Sequence, residues 1–325
     1  MGSIYRSIAG REAISRWCTD RLDGWAVAHK RVTLTVSGVR THVVTAGTGS
    51  PVLFLPGTNF NAAASLPLAT ALAAAGHRVI LPDVPGQPGL SSGERGLAKG
   101  RLSWYGTWLN EVIEQTIAAP VTVMGHSFGA AVALSCHSPH IERLVLASPA
   151  GLTRLSVPPH LLAASTAWFL RPTPTSSARL LRAMSAPGRQ PRNELVEWMT
   201  LVARHSRSSG APGRAEPPSG QRCTQLAVTG ANDVFLPPHR LRRAVHDTLK
   251  TELQVVPGAG SYCIVLASGV QAIKSIPMAT LSNDAPRGSD VRVSRNDASC
   301  PGNSIRVTTG TDGVAVNRPF YFLVP

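Results

Sequence analysis

Residues 121–129 read Val-Thr-Val-Met-Gly125-His126-Ser127-Phe128-Gly129, an apolar run entering G-x-S-x-G, and the small-residue stretch Ala130 to Leu134 follows. A serine on a sharp strand-to-helix turn can act as a nucleophile, because the turn pushes its hydroxyl past the sheet edge while the glycines remove side chains that would collide there. The spacing therefore predicts Ser127 as the attacking group. It also aims the backbone N–H of Phe128 at the negative charge that develops on an attacked carbonyl oxygen. A serine needs a base, and three histidines come into question. His126 adjoins the nucleophile, but alternation along a strand turns it away from the position a base would occupy. His239 and His246 share the face of a helix and read as surface residues. Cys136, His137 and His140 fall where the helix after Ser127 ends at Pro139, and no metal site is predicted from them.

The elements needed to position this serine are legible around it. Val32–Val36 and His42–Val44 flank Ser37-Gly38 as a hairpin, and Val52–Leu55 is a short strand ended by Pro56-Gly57. Helices at Leu66–Ala75, Trp104–Ile117 and Ala130–Cys136 alternate with strands at Val79–Leu81, Val121–Met124 and Leu144–Ala147. Further strands are expected at Leu226–Thr229 and Leu253–Val256. Such alternation specifies an α/β architecture, a mostly parallel sheet covered by helices on both faces. Three divisions follow: a helical arm over 1–30, a main domain over 31–260 and a distinct C-terminal tail over 261–325. Within the main domain, residues 152–220 carry helices at Leu161–Leu170, Ala178–Met184 and Glu194–His205 and read as an inserted lid. The lid ends in the Ser-, Pro- and Gly-rich stretch Ser206–Gly220, expected to be mobile.

Over residues 30 to 260 the chain resembles an α/β-hydrolase of the serine esterase and lipase type. The resemblance rests on the G-x-S-x-G elbow and on four further stretches. Leu53-Phe-Leu-Pro56-Gly57-Thr58-Asn59 is similar to the family's first oxyanion loop, which implies the Thr58 N–H as second oxyanion donor. Leu81-Pro-Asp83-Val-Pro-Gly86-Gln87-Pro-Gly89 resembles a turn that shapes the site without doing chemistry. Leu144-Val-Leu-Ala-Ser148-Pro149 looks like the strand that precedes the lid. Leu226-Ala-Val-Thr-Gly230-Ala-Asn-Asp233 is similar to the strand and loop that carry the acid, which implies Asp233 as the carboxylate that orients the base. A plainer role for Asp233, capping the helix that starts near Pro238, is compatible with it.

The resemblance breaks after Leu253-Gln-Val-Val-Pro257-Gly-Ala-Gly260. The family continues with histidine, whereas this chain has Ser261 and no histidine beyond His246. A serine hydroxyl does not take up a proton near neutral pH. The composition also changes abruptly after Gly260, which points to a replaced or out-of-frame segment more than to one substitution. The expected activity is hydrolysis of a carboxylic ester or related acyl substrate, impaired by loss of the base histidine. The alternative is an inactive hydrolase-fold protein that binds a ligand or a partner.

Composition narrows the partners. With 325 residues and 43% hydrophobic content the chain can build a substantial core. It carries 32 Lys and Arg against 18 Asp and Glu, a net charge of +14, but the arginines are scattered and form no stripe. A small-molecule acyl substrate is expected, with no nucleic-acid partner, no stable membrane insertion and no cofactor. The lid's nine arginines against three glutamates hint at an anionic substrate. The five cysteines are widely spaced without a C-x-x-C pair, and no secretion signal opens the chain, so a cytoplasmic location is expected.

Overall fold

The computed structural model describes residues 2–95, 100–217 and 223–261, with short strands at 266–268, 291–294, 306–311, 314–316 and 321–323. Eight strands form the main sheet: β1 (His29–Val36), β2 (Val39–Ala46), β3 (Pro51–Leu55), β4 (Arg78–Pro82), β5 (Val121–His126), β6 (Ile141–Ala147), β7 (Thr224–Asn232) and β8 (Leu253–Gly260). Their spatial order is β8-β7-β6-β5-β3-β4-β2-β1. Only the β1/β2 and β2/β4 pairs are antiparallel; every pair from β4 to β8 is parallel.

Strand β3 shows why the apolar runs lack alternation. Leu53 and Leu55 face one core and Val52 and Phe54 the other, so both faces are buried and both must be apolar. Each such side chain contributes about 1.5–3 kcal/mol of burial. Strand β3 lies between β4 and β5, so the chain crosses over itself there. At such a reversal the loops leaving neighbouring strands part and open a crevice at the sheet's carboxyl edge. The loops after β3 and β5 carry Thr58 and Ser127 into it.

Helices α2 (Leu66–Ala74), α3 (Arg101–Thr116), α4 (Phe128–Leu134) and α8 (Pro238–Leu249) connect the strands. Helix α1 (Ile8–Asp23) precedes the sheet, starts at Ser7, whose hydroxyl accepts from the Gly10 N–H, and buries Ile14, Trp17 and Leu22. Between β6 and β7 the chain inserts α5 (Pro159–Leu170), α6 (Pro174–Met184) and α7 (Asn193–His205). The Trp17 ring of α1 packs against Trp198 of α7 with centroids 4.6 Å apart.

The first residues act as a clasp. Gly2–Ser3 pairs with Glu94–Arg95, and Tyr5 donates its hydroxyl to the Gly89 carbonyl at 2.8 Å. Arg207 Nη1 donates to the carbonyls of Ser3 and Tyr5, tying the end of α7 to the chain's start. The segment beginning at Ser206, expected to be mobile, is thus pinned over its described part. Arg101 holds the Ser209 carbonyl at 2.7 Å, and the Ala215 N–H donates to Gly151. Residues 218–220 of that stretch lie outside the described residues.

The described strands beyond 265 form a separate five-stranded antiparallel sheet in which Leu266–Ser268 pairs Tyr321–Leu323 and Val291–Ser294 pairs Arg306–Thr311. Most of the remaining tail, with Cys263 and Cys300, lies outside the described residues. Among the described residues no helix is long and apolar enough to cross a membrane.

Candidate active site

Ser127 joins β5 to α4 with φ 51° and ψ −110°, a backbone conformation a side chain rarely adopts. Hydrogen bonds hold it there. Its N–H donates to the Ala147 carbonyl at 2.9 Å, and its own carbonyl accepts from the N–H groups of Ala131 and Ala150. Strain of this kind persists only where the surroundings over-determine it. The two motif glycines allow the approach: a Cβ on Gly125 would lie 2.6 Å from Ala130 backbone atoms, and one on Gly129 would lie 2.1 Å from the Leu55 carbonyl oxygen.

Ser127 opens into a cavity of about 310 Å³ also lined by Thr58, His126, Trp168, Phe169 and Ser261. Thr58 follows β3 on a loop fixed from two sides. Gln87 Oε1 accepts from the Asn59 N–H at 2.9 Å, and Trp198 Nε1 of the inserted helices donates to the Asn59 carbonyl at 2.8 Å. Phe128 turns its ring into the core against Tyr105, which leaves only its backbone at the turn. Neither the Thr58 nor the Phe128 N–H has a hydrogen-bond partner among the described residues. Trp168 serves the cavity wall and the packing of the inserted helices together, since its Nε1 donates to the Met199 carbonyl.

Asp233 is 3% exposed at the end of the β7 loop. Its Oδ1 accepts from the N–H groups of Phe235 and Leu236 and from the Ser261 hydroxyl at 2.7 Å. It caps its own loop and not α8, whose N-cap residue, Pro237, makes no side-chain cap bond. The helix-capping expectation is corrected on this point: the carboxylate folds back onto the amides two and three residues further on, while the intervening Val234 N–H donates to the Ser261 hydroxyl oxygen. Ser261, 9% exposed, donates its backbone N–H to the Met184 carbonyl of α6 and its hydroxyl to Asp233.

The expected orientation of His126 is also corrected. Its Nε2 lies 2.9 Å from the Ser261 carbonyl and its ring lines the same cavity as Ser127. Strand alternation assumes extended backbone on both sides, and the φ of Ser127 breaks it. A carbonyl only accepts, so Nε2 carries the proton. Burial lowers the His126 pKa, while the Ser261 carbonyl and the Asp233 charge act upward. His239 and His246 are exposed on α8, away from the cavity lining. No group of three His, Cys, Asp or Glu side chains among the described residues could hold a metal.

Sequence reasoning thus placed Ser127, Thr58, Phe128 and Asp233 at one end of the sheet. It missed the part played by His126 and the supports supplied by Gln87 and Trp198. Gln87 stood within the quoted turn with no sign of its partner, and Trp198 carried no local signal.

A search of curated proteins finds no match. Solved structures resemble the fold at low identity. A carboxylesterase, CesB, from Bacillus subtilis superposes with a TM-score of 0.64 at 12% identity, over 82% of this chain and 94% of that one. Naproxen esterase from Bacillus subtilis gives 0.60 at 18%, over 76% and 90%. A meta-cleavage product hydrolase from Pseudomonas fluorescens gives 0.56 at 21%, over 76% and 93%. The sequence profile of the alpha/beta hydrolase family matches residues 52–272, more than half of the chain. With that match and with the strand order and crossover described above, the chain belongs to the alpha/beta hydrolase family.

Proposed function

We propose that this protein is a serine hydrolase for a carboxylic ester or related acyl compound, with turnover limited by the lack of a general base. From the strand-to-helix turn, the nucleophile elbow of this family, Ser127 Oγ attacks the acyl carbon and gives up its proton to water, since no positioned base takes it. The C–O bond to the alcohol then breaks, the alcohol leaves with a proton from water, and a second water hydrolyses the acyl-serine. The N–H groups of Thr58 and Phe128 form the oxyanion hole and receive the charge on the former carbonyl oxygen. Asp233 is the acid member, and the residue it holds is Ser261. The observation that carries this reading is the strained backbone of Ser127 at the mouth of a 310 Å³ cavity. The apolar wall of Trp168, Phe169 and Leu180, on the inserted lid, suits the body of an acyl or alcohol group.

A fluorophosphonate probe tests the nucleophile directly, because it reports a reactive serine without a complete catalytic cycle. Labelling of the native chain that disappears in Ser127→Ala is the expected result. Labelling that persists in the variant, or is absent from both, overturns the assignment.

One observation favours the second reading, a non-catalytic ligand-binding protein. One oxygen of the Asp233 carboxylate, Oδ1, already accepts from the Ser261 hydroxyl and two backbone amides, an arrangement made without a histidine. Turnover of a p-nitrophenyl ester that depends on Ser127 and reaches ordinary esterase rates would exclude it.

A further inference from the structure

Two cavities meet at the walls formed by Gly57, Phe60 and His126, and they differ in charge. The larger, which holds Ser127, has no Arg, Lys, Asp or Glu in its lining. The smaller, about 90 Å³, is closed by the connection between α6 and α7, and Arg189, Gln190 and Arg192 line it. No carboxylate lines either one.

The two guanidinium groups are incompletely satisfied. Arg189 Nη2 and Arg192 Nε are both buried and donate to no group among the described residues. Neither arginine takes part in an ion pair there; the nearby Glu194 pairs with Arg21 instead. Withdrawing a charged N–H from water without an acceptor is costly. Both residues also line the one small cavity, whose lining holds two guanidinium groups and no carboxylate, an excess of positive charge that an anion in the cavity offsets. A guanidinium presents its N–H groups in a planar fork that matches the two oxygens of a carboxylate.

We propose that the smaller cavity is an anion subsite that receives the free carboxylate of a hemiester, the half-ester of a dicarboxylic acid, while its ester group lies at Ser127. This assignment rests on the proposed function, since it names the substrate class of the same site. The shared wall at His126 and Gly57 places the charged end of the substrate on one side and the reacting serine on the other. A neutral ester of the same length fills the larger cavity and leaves both arginines unpaired.

Binding separates this proposal from the one about turnover. Monomethyl glutarate and dimethyl glutarate are titrated calorimetrically into the Ser127→Ala protein, which cannot consume them. The hemiester is expected to bind on the order of tenfold more tightly, the scale of one charge-assisted hydrogen bond. Replacing both arginines, Arg189→Gln with Arg192→Gln, removes that preference and leaves dimethyl glutarate binding unchanged. Acetate displaces the hemiester at least as well as inorganic phosphate does. Equal affinity for the two esters overturns the proposal, and needs no variant to be seen. A preference that survives loss of both guanidinium groups, or displacement by phosphate in preference to acetate, also overturns it. An enzyme without turnover that keeps the hemiester preference breaks only the reaction proposal.

Discussion

The turn at Ser127 and the end of β8 at Ser261 are built to the same standard and equipped differently. At the first, Gly125 and Gly129 admit backbone that no side chain would tolerate, and Ser127, the central one of the three residues between them, carries a hydroxyl into the cavity lining. At the second, a Cβ on Gly230 would lie 2.5 Å from the Ala259 carbonyl oxygen, and one on Gly260 would lie 2.6 Å from the Ala186 amide nitrogen. Close packing therefore carries the chain to position 261 and delivers its side chain to Asp233 at hydrogen-bond distance. What differs is the group delivered. Position is set by many backbone contacts, whereas chemistry resides in one side chain, so the first can outlast the second.

Putting the missing group back tests that contrast most strongly. Ser261→His places an imidazole beside Asp233, in the cavity that Ser127 lines. A positioned general base contributes about 10²–10⁴-fold. Hydrolysis of p-nitrophenyl butyrate by the variant is expected to exceed that of the native chain by at least about a hundredfold, and a second substitution, Ser127→Ala, should abolish the gain. A Ser261→His protein that folds and still shows no gain would mean that the turn and the strand end are not in catalytic register.

Backbone packing at the elbow supplies the next effect in size. Gly129→Ala drives a methyl group toward the Leu55 carbonyl, an overpacking whose cost is about 1–3 kcal/mol. Urea unfolding should show that loss, and fluorophosphonate labelling should fall with it. A neutral substitution would show that the approach of α4 to β3 is not what holds the turn.

The strands and helices were legible because each is short, buried and punctuated. The helix ending before Gly76, the strand ended by Pro56-Gly57 and the three inserted helices all stand within a few residues of their expected limits. Ser127 was legible because its motif is local. The supports of the site were not, since they join residues far apart in the chain: Asn59 to Gln87 across 28 residues, Asn59 to Trp198 across 139 and His126 to Ser261 across 135. No local periodicity encodes such a bond. His126 was misplaced for a related reason: the alternation rule held along β5 and failed at Ser127, where the positive φ turns the chain into α4.

Trp198 sharpens the comparison on the oxyanion side. Its indole N–H is a single hydrogen bond to the Asn59 carbonyl, beside Thr58, and such a bond contributes about 0.5–1.5 kcal/mol. Trp198→Phe keeps most of the ring contact with Trp17 and removes the donor. In the Ser261→His background it should lower kcat by up to about tenfold with little change in KM, because in the proposed mechanism the Thr58 N–H meets the oxyanion and not the ground-state substrate. A change confined to KM would move Trp198 from the oxyanion loop to the binding wall.

The smallest effect concerns a bond that joins the end of β5 to the end of β8, His126 to Ser261. Burial lowers the His126 pKa below 6.5, so between that lowered value and 6.5 the unfolded chain holds a proton that the folded chain does not. Where the unfolded state binds more protons, stability rises with pH. The neutral ring's contribution is therefore complete above about pH 6.5 and is lost as the pH falls toward the folded-state value. His205 is shifted in the same direction by burial and by Arg204, so an acid-side loss in the native protein alone does not single out His126. His126→Gln does, because its amide N–H still reaches the Ser261 carbonyl while nothing there titrates. Urea midpoints compared at pH 7.5 and pH 5.5 should fall less in His126→Gln than in the native chain. Equal falls would place the proton elsewhere and leave the two strand ends joined by a bond that pH does not touch.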